Sequence, residues 1–155
     1  MPVIQKDEVE YVANRAARRN ASRRGHSVVE VALLGPWIFL LIAGVFDMGY
    51  YAYAMIATQN AARAAAEYTS RSTKTAGDSD AACEYALIGL QNMPNVRSLS
   101  TCGSGPLIVS ASQVTGADGA LASSVSVTYQ TPMLIPIPGL MGQLNITRSV
   151  QMRII

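Results

Sequence analysis

The stretch VVEVALLGPWIFLLIAGVF, Val28 to Phe46, holds nineteen residues and a single charge, Glu30. At 1.5 Å of rise per helical residue it reaches roughly 28 Å, close to the hydrocarbon thickness of a bilayer. A helix buried in a soluble core is the alternative, and the length and flanks of the run speak against it. Weakly polar residues extend the segment through Tyr50, Tyr51 and Tyr53 to Ile56, interrupted by Asp47. Tyrosines there suit a membrane–water interface, where amphipathic rings collect. The chain is therefore expected to contain one membrane-spanning helix. Glu30 is the anomaly, since an acidic residue at the centre of a span costs on the order of 2.5–3.5 kcal/mol.

Charge orients the span. Residues 1–25 carry six basic and three acidic residues, a surplus of three, whereas the rest of the chain has six basic and seven acidic. Five arginines between Arg15 and Arg24 face no acidic neighbour, so the N-terminus is expected in the cytoplasm and the remainder outside. The basic surplus belongs to this leader and gives no footprint for nucleic acid. With 155 residues the chain has room for one modest domain besides the span.

Two processing sites are legible. Ala52-Tyr53-Ala54 fits the small-x-small pattern of a secretory signal peptidase, which would release a domain cut after Ala54. The apolar region is longer than the ~7–15 residues of a signal peptide, and no helix breaker precedes Ala52. The other site follows Gly25. Gly25, then His26-Ser27-Val28-Val29, then Glu30, with arginines before and an apolar helix after, resembles the prepilin-peptidase motif of type IV pilins. Downstream, Pro36, Asp47-x-Gly49 and Gln59-Asn60-Ala61-Ala62-Arg63 make Val28–Tyr68 similar to the TadE-like family, minor pilins (pseudopilins) of the tight-adherence pilus. The tail VSVTYQTPMLIPIPGL with its final strand is also similar to that family. His26 departs from the phenylalanine often found at the first mature position, which leaves N-methylation without support.

The resemblance implies cleavage after Gly25 by prepilin peptidase. It also implies contacts with other pilins and pseudopilins and with the inner-membrane assembly platform, and a role in surface adhesion and biofilm formation. The expected location is the inner membrane, then the pilus and cell surface, with Glu30, Pro36 and Asp47 as assembly residues. An uncleaved, membrane-anchored binding module is the rival reading. Cleavage would give His26 a free α-amino group one helical turn from Glu30. In pilins, the resemblance implies, that glutamate meets the terminal amine of a neighbouring subunit. A glutamate favoured by the helix dipole and solvated near the headgroups is the simpler explanation.

The expected fold class is α+β and type IV pilin-like: residues 1–25 a leader, 26–56 the transmembrane segment, and 57–155 a small extracytoplasmic domain. Alanine-rich Ala57–Tyr68 continues the helix, with Ala57, Ala61, Ala65 and Tyr68 on one side and Arg63 and Glu67 as an i,i+4 pair. Asp80 is expected to cap a second helix ending near Pro94, with Cys83, Ala86, Leu87 and Leu90 on its buried face. Strands are expected at Leu107–Ser112, Ser124–Tyr129 and Leu144–Ile154, forming an antiparallel sheet. Arg148 interrupts the apolar face of the last strand, as a bulge or an edge position does.

Cys83 and Cys102 are the only cysteines and lie on the oxidising side, so a disulfide is expected, two free thiols being the alternative. Two sulfurs and one histidine on the opposite side of the span supply neither a metal site nor a cofactor site. No catalytic constellation is present: His26 cannot serve a triad outside, and Asp78, Asp80 and Glu84 suit a helix N-terminus. Asn145-Ile146-Thr147 matches a glycosylation sequon, idle in a bacterial setting. Finally, TPMLIPIPGLMG, residues 131–142, has three prolines and cannot pair as a regular strand. Met133, Leu134, Ile135, Ile137, Leu140 and Met141 make it unusually apolar for a loop. It is either a lid over the small core or an exposed contact surface.

Overall fold

The computed structural model describes residues 6–134 and 142–155. Before Val28 it describes side chains only at Glu10, Tyr11, Asn14 and Arg15. The elements are α1 (Lys6–Thr69), α2 (Ser79–Leu90), β1 (Leu107–Thr115), β2 (Leu121–Gln130) and β3 (Asn145–Arg153). The chain divides into two units between Val45 and Phe46, and α1 contributes to both. The α+β class expected from the sequence is the one observed.

In the first unit the backbone is helical throughout the described residues, Pro36 included. Proline has no N–H to donate, so the Ala32 carbonyl four residues earlier loses its usual partner. Every large apolar side chain from Val28 to Val45 is exposed. A helix apolar on all faces is either buried in protein or immersed in lipid.

In the second unit α1 has one inward face. Asp47, Tyr51, Ala54, Thr58, Ala61, Ala62, Ala65, Ala66 and Thr69 are buried, recurring at helical spacing. Its small side chains admit α2 closely. A Cβ added at Gly89 of α2 would lie 3.0 Å from both the Cα and Cβ of Ala61, so the crossing depends on two small residues. Tyr68 stacks on Tyr85 of α2 at 4.6 Å between ring centroids. The expected alanine-and-Tyr68 side of the helix is the side that packs.

Hydroxyls close the end of α1. Thr69 donates to the Ala66 carbonyl at 3.2 Å and Ser70 to the Glu67 carbonyl at 3.0 Å. Ser123 of β2, fully buried, donates to Thr69 Oγ1 at 2.7 Å, and the Ile155 amide donates to the Ser70 carbonyl at 3.1 Å. The helix end is thus tied to the middle strand and to the last residue of the chain.

The sheet is an antiparallel meander in the order β1-β2-β3. Leu107, Tyr129 and Ile146 sit side by side across it, and all three are buried. Val125 and Val127 complete the inner face of β2, as its alternation predicts. Several details differ from expectation. Asp78, not Asp80, caps α2, because Asp78 Oδ1 is placed to accept from the Ala81 amide at 3.0 Å. The helix stops at Leu90, and turns bonded Met93 to Leu90 and Val96 to Met93 carry the chain past Pro94. β1 runs on to Thr115, since β2 pairs with it as far as Leu121. Arg148 needs no bulge: it lies in regular register opposite Val127, on an edge strand. Among the described residues the ion pair is Arg153 with Asp118 at 3.7 Å, and Arg63 forms none with Glu67.

Cys83 and Cys102 are joined, with 5.8 Å between their Cα atoms, fastening α2 to the segment before β1. Closing a loop of this size stabilises by roughly 3 kcal/mol in the chain-entropy picture. Alkylation of the folded protein without reductant is therefore expected to label neither cysteine. Cys83→Ser should lower the melting temperature of the full chain in detergent and leave membrane insertion intact; unchanged melting would remove the disulfide from the stabilising set.

Candidate assembly surface

The residues singled out in the sequence fall into both units. Gly25 and His26 lie within α1, and their side chains are outside the description. Glu30 is exposed among Val28, Val29, Val31, Leu33 and Leu34, all exposed as well. Pro36 is exposed on the same helix. Among the described residues, one helical stretch, Val28–Thr69, is long and apolar enough to cross a membrane, and Glu30 and Pro36 belong to it.

Asp47 belongs to the second unit and is buried, 5% exposed. One turn on, buried Tyr51 donates its hydroxyl to the Gly142 carbonyl at 3.0 Å, tying α1 to the return of the loop that follows β2. Tyr50 and Tyr129 bond hydroxyl to hydroxyl at 3.0 Å, and Tyr129 donates to Asn95 Oδ1 at 2.6 Å. Asn95 in turn donates Nδ2–H to the Gln130 carbonyl at 2.7 Å. Two of the three tyrosines expected at a headgroup layer thus hold the folded unit together. Only Tyr53, half exposed, keeps a free face.

This chain of hydrogen bonds satisfies the one polar atom of Tyr129, otherwise enclosed in the core. Burial, followed by the hydrogen bond with Tyr50, pushes the Tyr129 phenol well above its ordinary range. Burial thus favours the neutral phenol, the form that donates to Asn95 Oδ1.

On the flank of α1 away from α2 lies an open groove of about 410 Å³, lined by Met55, Ile56, Gln59, Asn60, Arg63 and Arg148. Helical spacing places Met55, Gln59 and Arg63 along one line. Arg148 reaches it from the inner face of β3, where it is half-buried together with Val150 and Met152. The groove therefore joins the polar part of the Gln59–Arg63 motif to the residue that interrupts the last strand. Sequence reasoning noted both and connected neither. An arginine on an apolar face was the available signal.

Met133 and Leu134 are exposed, at 51% and 43%. Ile135, Ile137, Leu140 and Met141 lie outside the described residues. Cys83 and Cys102 border a shallow depression with Ser79, Asp80, Ser100, Thr101 and Val109, which holds one carboxylate and several hydroxyls.

Residues 25–67 match the model of the TadE-like protein family. No curated protein and no solved structure matches the chain. The matched segment begins at the glycine of the processing motif and ends beyond Arg63. It agrees with the resemblance drawn from the residues.

Tyr129→Phe should cost about 1–2 kcal/mol, because Asn95 and Tyr50 each lose a buried partner. The sign of the pH dependence follows from the raised phenol. Stability from this group is complete below pH 10, its ordinary value, and declines above it as the unfolded chain ionises while the folded one does not. Thermal melts of the full chain in detergent from pH 8 to 11 should show the alkaline decline to be shallower in Tyr129→Phe.

Proposed function

We propose that this chain is a minor pilin, or pseudopilin, that prepilin peptidase cuts after Gly25 and that takes part in assembling the tight-adherence pilus. The observation that carries this reading is the TadE-like match over residues 25–67, which covers Gly25, Glu30, Pro36, Asp47 and the Gln59–Arg63 motif together. The apolar helix within residues 26–56 anchors the protein in the inner membrane, its hydrocarbon part being Val28–Phe46. The cytoplasmic leader is removed, and residues 57–155 fold in the periplasm before the subunit joins other pilins and pseudopilins at the assembly platform. Adhesion and biofilm formation follow from the pilus rather than from any chemistry of this chain.

In this reading cleavage creates an ammonium group at His26, one turn from the Glu30 carboxylate. Opposite charges attract strongly where the dielectric is low, and a carboxylate in a span is stabilised by such a partner. In the assembled filament the partner amine belongs to a neighbouring subunit. Asp47, the first acidic residue past the apolar run, is buried in the folded unit. The exposure of Met133 and Leu134 supports the contact reading for that end of the loop.

Mass spectrometry of the mature N-terminus separates the alternatives. His26 is expected; Met1 would mean an uncleaved anchor and Met55 a secreted domain. Glu30→Ala should insert as well as the parent or better, since a charge leaves the bilayer, and should lose pilus assembly. Normal piliation at a normal protein level would overturn the pairing role and leave the helix dipole as sufficient cause.

A further inference from the structure

We infer that the groove beside α1 receives the outer stripe of α2 from a second copy of this chain, in a head-to-tail contact. The groove is lined by Arg63 and Arg148 together with the apolar Met55 and Ile56. The opposite flank of the same unit presents the reciprocal surface. Asp80, Glu84 and Ile88 are all exposed on α2 and stand four residues apart, so they form one stripe of two carboxylates and an apolar side chain.

The charges that take part are free to do so. From Phe46 to Ile155 there are six basic and six acidic residues, so the unit carries no net charge. Arg153 is paired with Asp118, and Arg71 lies over the Tyr68 ring at 5.7 Å. Asp78 is occupied as the cap of α2. Glu67 is exposed one turn beyond Arg63 and forms no ion pair with it. Lys74 and Arg97 are exposed as well and line neither surface, so the complementarity rests on Arg63 with Arg148 in the groove and Asp80 with Glu84 on α2.

Position favours a protein over a lipid as the occupant. Arg63 lies sixteen residues beyond Asp47 on α1, about 24 Å along the axis. A headgroup layer is only about 5–8 Å deep on each side of the hydrocarbon. The inner face of β3 also lacks cover: Arg148, Val150 and Met152 are half-buried, whereas Val125 and Val127 of the neighbouring strand are fully buried. A helix laid in the groove would complete that face. Because groove and stripe are different surfaces, the contact is heterologous and can repeat from copy to copy.

This contact would serve the assembly proposed above, yet its test needs neither cleavage nor a pilus, so the two readings can fail separately. Two differently tagged full-length chains are co-purified in detergent at low and high salt. The parent copies should associate, more weakly at high salt. A groove variant (Arg63→Glu with Arg148→Glu) and a stripe variant (Asp80→Lys with Glu84→Lys) should each lose self-association at least tenfold. Mixed together they should associate again, since the reversed groove of one accepts the reversed stripe of the other. Unassociated parent copies would overturn the proposal. So would a groove variant that loses association while the stripe variant keeps it, or a mixture that fails to recover. Melting temperature and a closed disulfide report folding of each variant. Should a reversal fail to fold, Arg148→Gln and Glu84→Gln replace it, each expected to weaken association severalfold, and no weakening in either would sink the contact.

Discussion

The approach of α1 to its neighbours rests on small side chains. Ala54, Ala61, Ala62, Ala65 and Ala66 have no exposed surface, and a Cβ at Gly89 would press on Ala61. Each alanine buries little apolar area, so the helix contributes less hydrophobic free energy per residue than a leucine-faced one would. The larger side chains of the core come from elsewhere: Leu90, Met93, Val96, Leu107, Val125, Val127 and Tyr129. That division suits a helix whose preceding segment must be apolar on every side. Were the folded half equally rich in leucine, nothing in the sequence would tell the exposed apolar run from the packed helix. Alanine keeps helix propensity high while marking where the apolar run stops and the folded unit starts.

Polar atoms then do what the small core cannot. Tyr50, Tyr129 and Asn95 link α1, the middle strand and the turns after α2 through successive hydrogen bonds. Thr69 and Ser123 repeat the device at the other end of the packed helix. Buried polar groups of this kind stabilise modestly when satisfied and cost heavily when one partner is missing, so they fix a unique arrangement more than they add net stability. The disulfide between Cys83 and Cys102 acts on the unfolded chain instead, holding the turn-rich segment 91–101 that has no regular pairing of its own.

Much of this was legible in the residues because it is periodic or local. The long apolar helix follows from an unbroken run of nineteen residues, and the alternation of Val125, Val127 and Tyr129 and the buried line of Cys83, Ala86 and Leu90 follow from repeats of two and of three and four. The helix continuing through Tyr68 followed from alanine content, and the disulfide from compartment and cysteine count. What escaped was non-local. Tyr50 and Tyr129 are 79 residues apart, and no pattern in either segment marks them as partners. The cap of α2 moved by two residues because Asp78 and Asp80 offer the same chemistry, and only backbone geometry decides between them. Arg148 was visible as an exception to the strand's alternation, but its meaning required knowing which flank of α1 faces β3.

That exception bears on the electrostatics of the whole unit. An arginine on the inner face of a sheet is costly if fully buried and unpaired. Here β3 is an edge strand and its inner face lies only partly under the helices, so the Arg148 stem packs while its guanidinium reaches the groove. Covering β3 completely with apolar residues would have given a larger core and removed the cationic groove. Leaving it open keeps two arginines on one flank and two carboxylates on the other in a unit with no net charge. Such a unit has little long-range attraction for copies of itself and a strong preference for one orientation at contact. The openness of β3 is therefore coupled to specificity: the same half-covered strand that weakens the isolated fold supplies the feature by which a neighbour's helix can complete it.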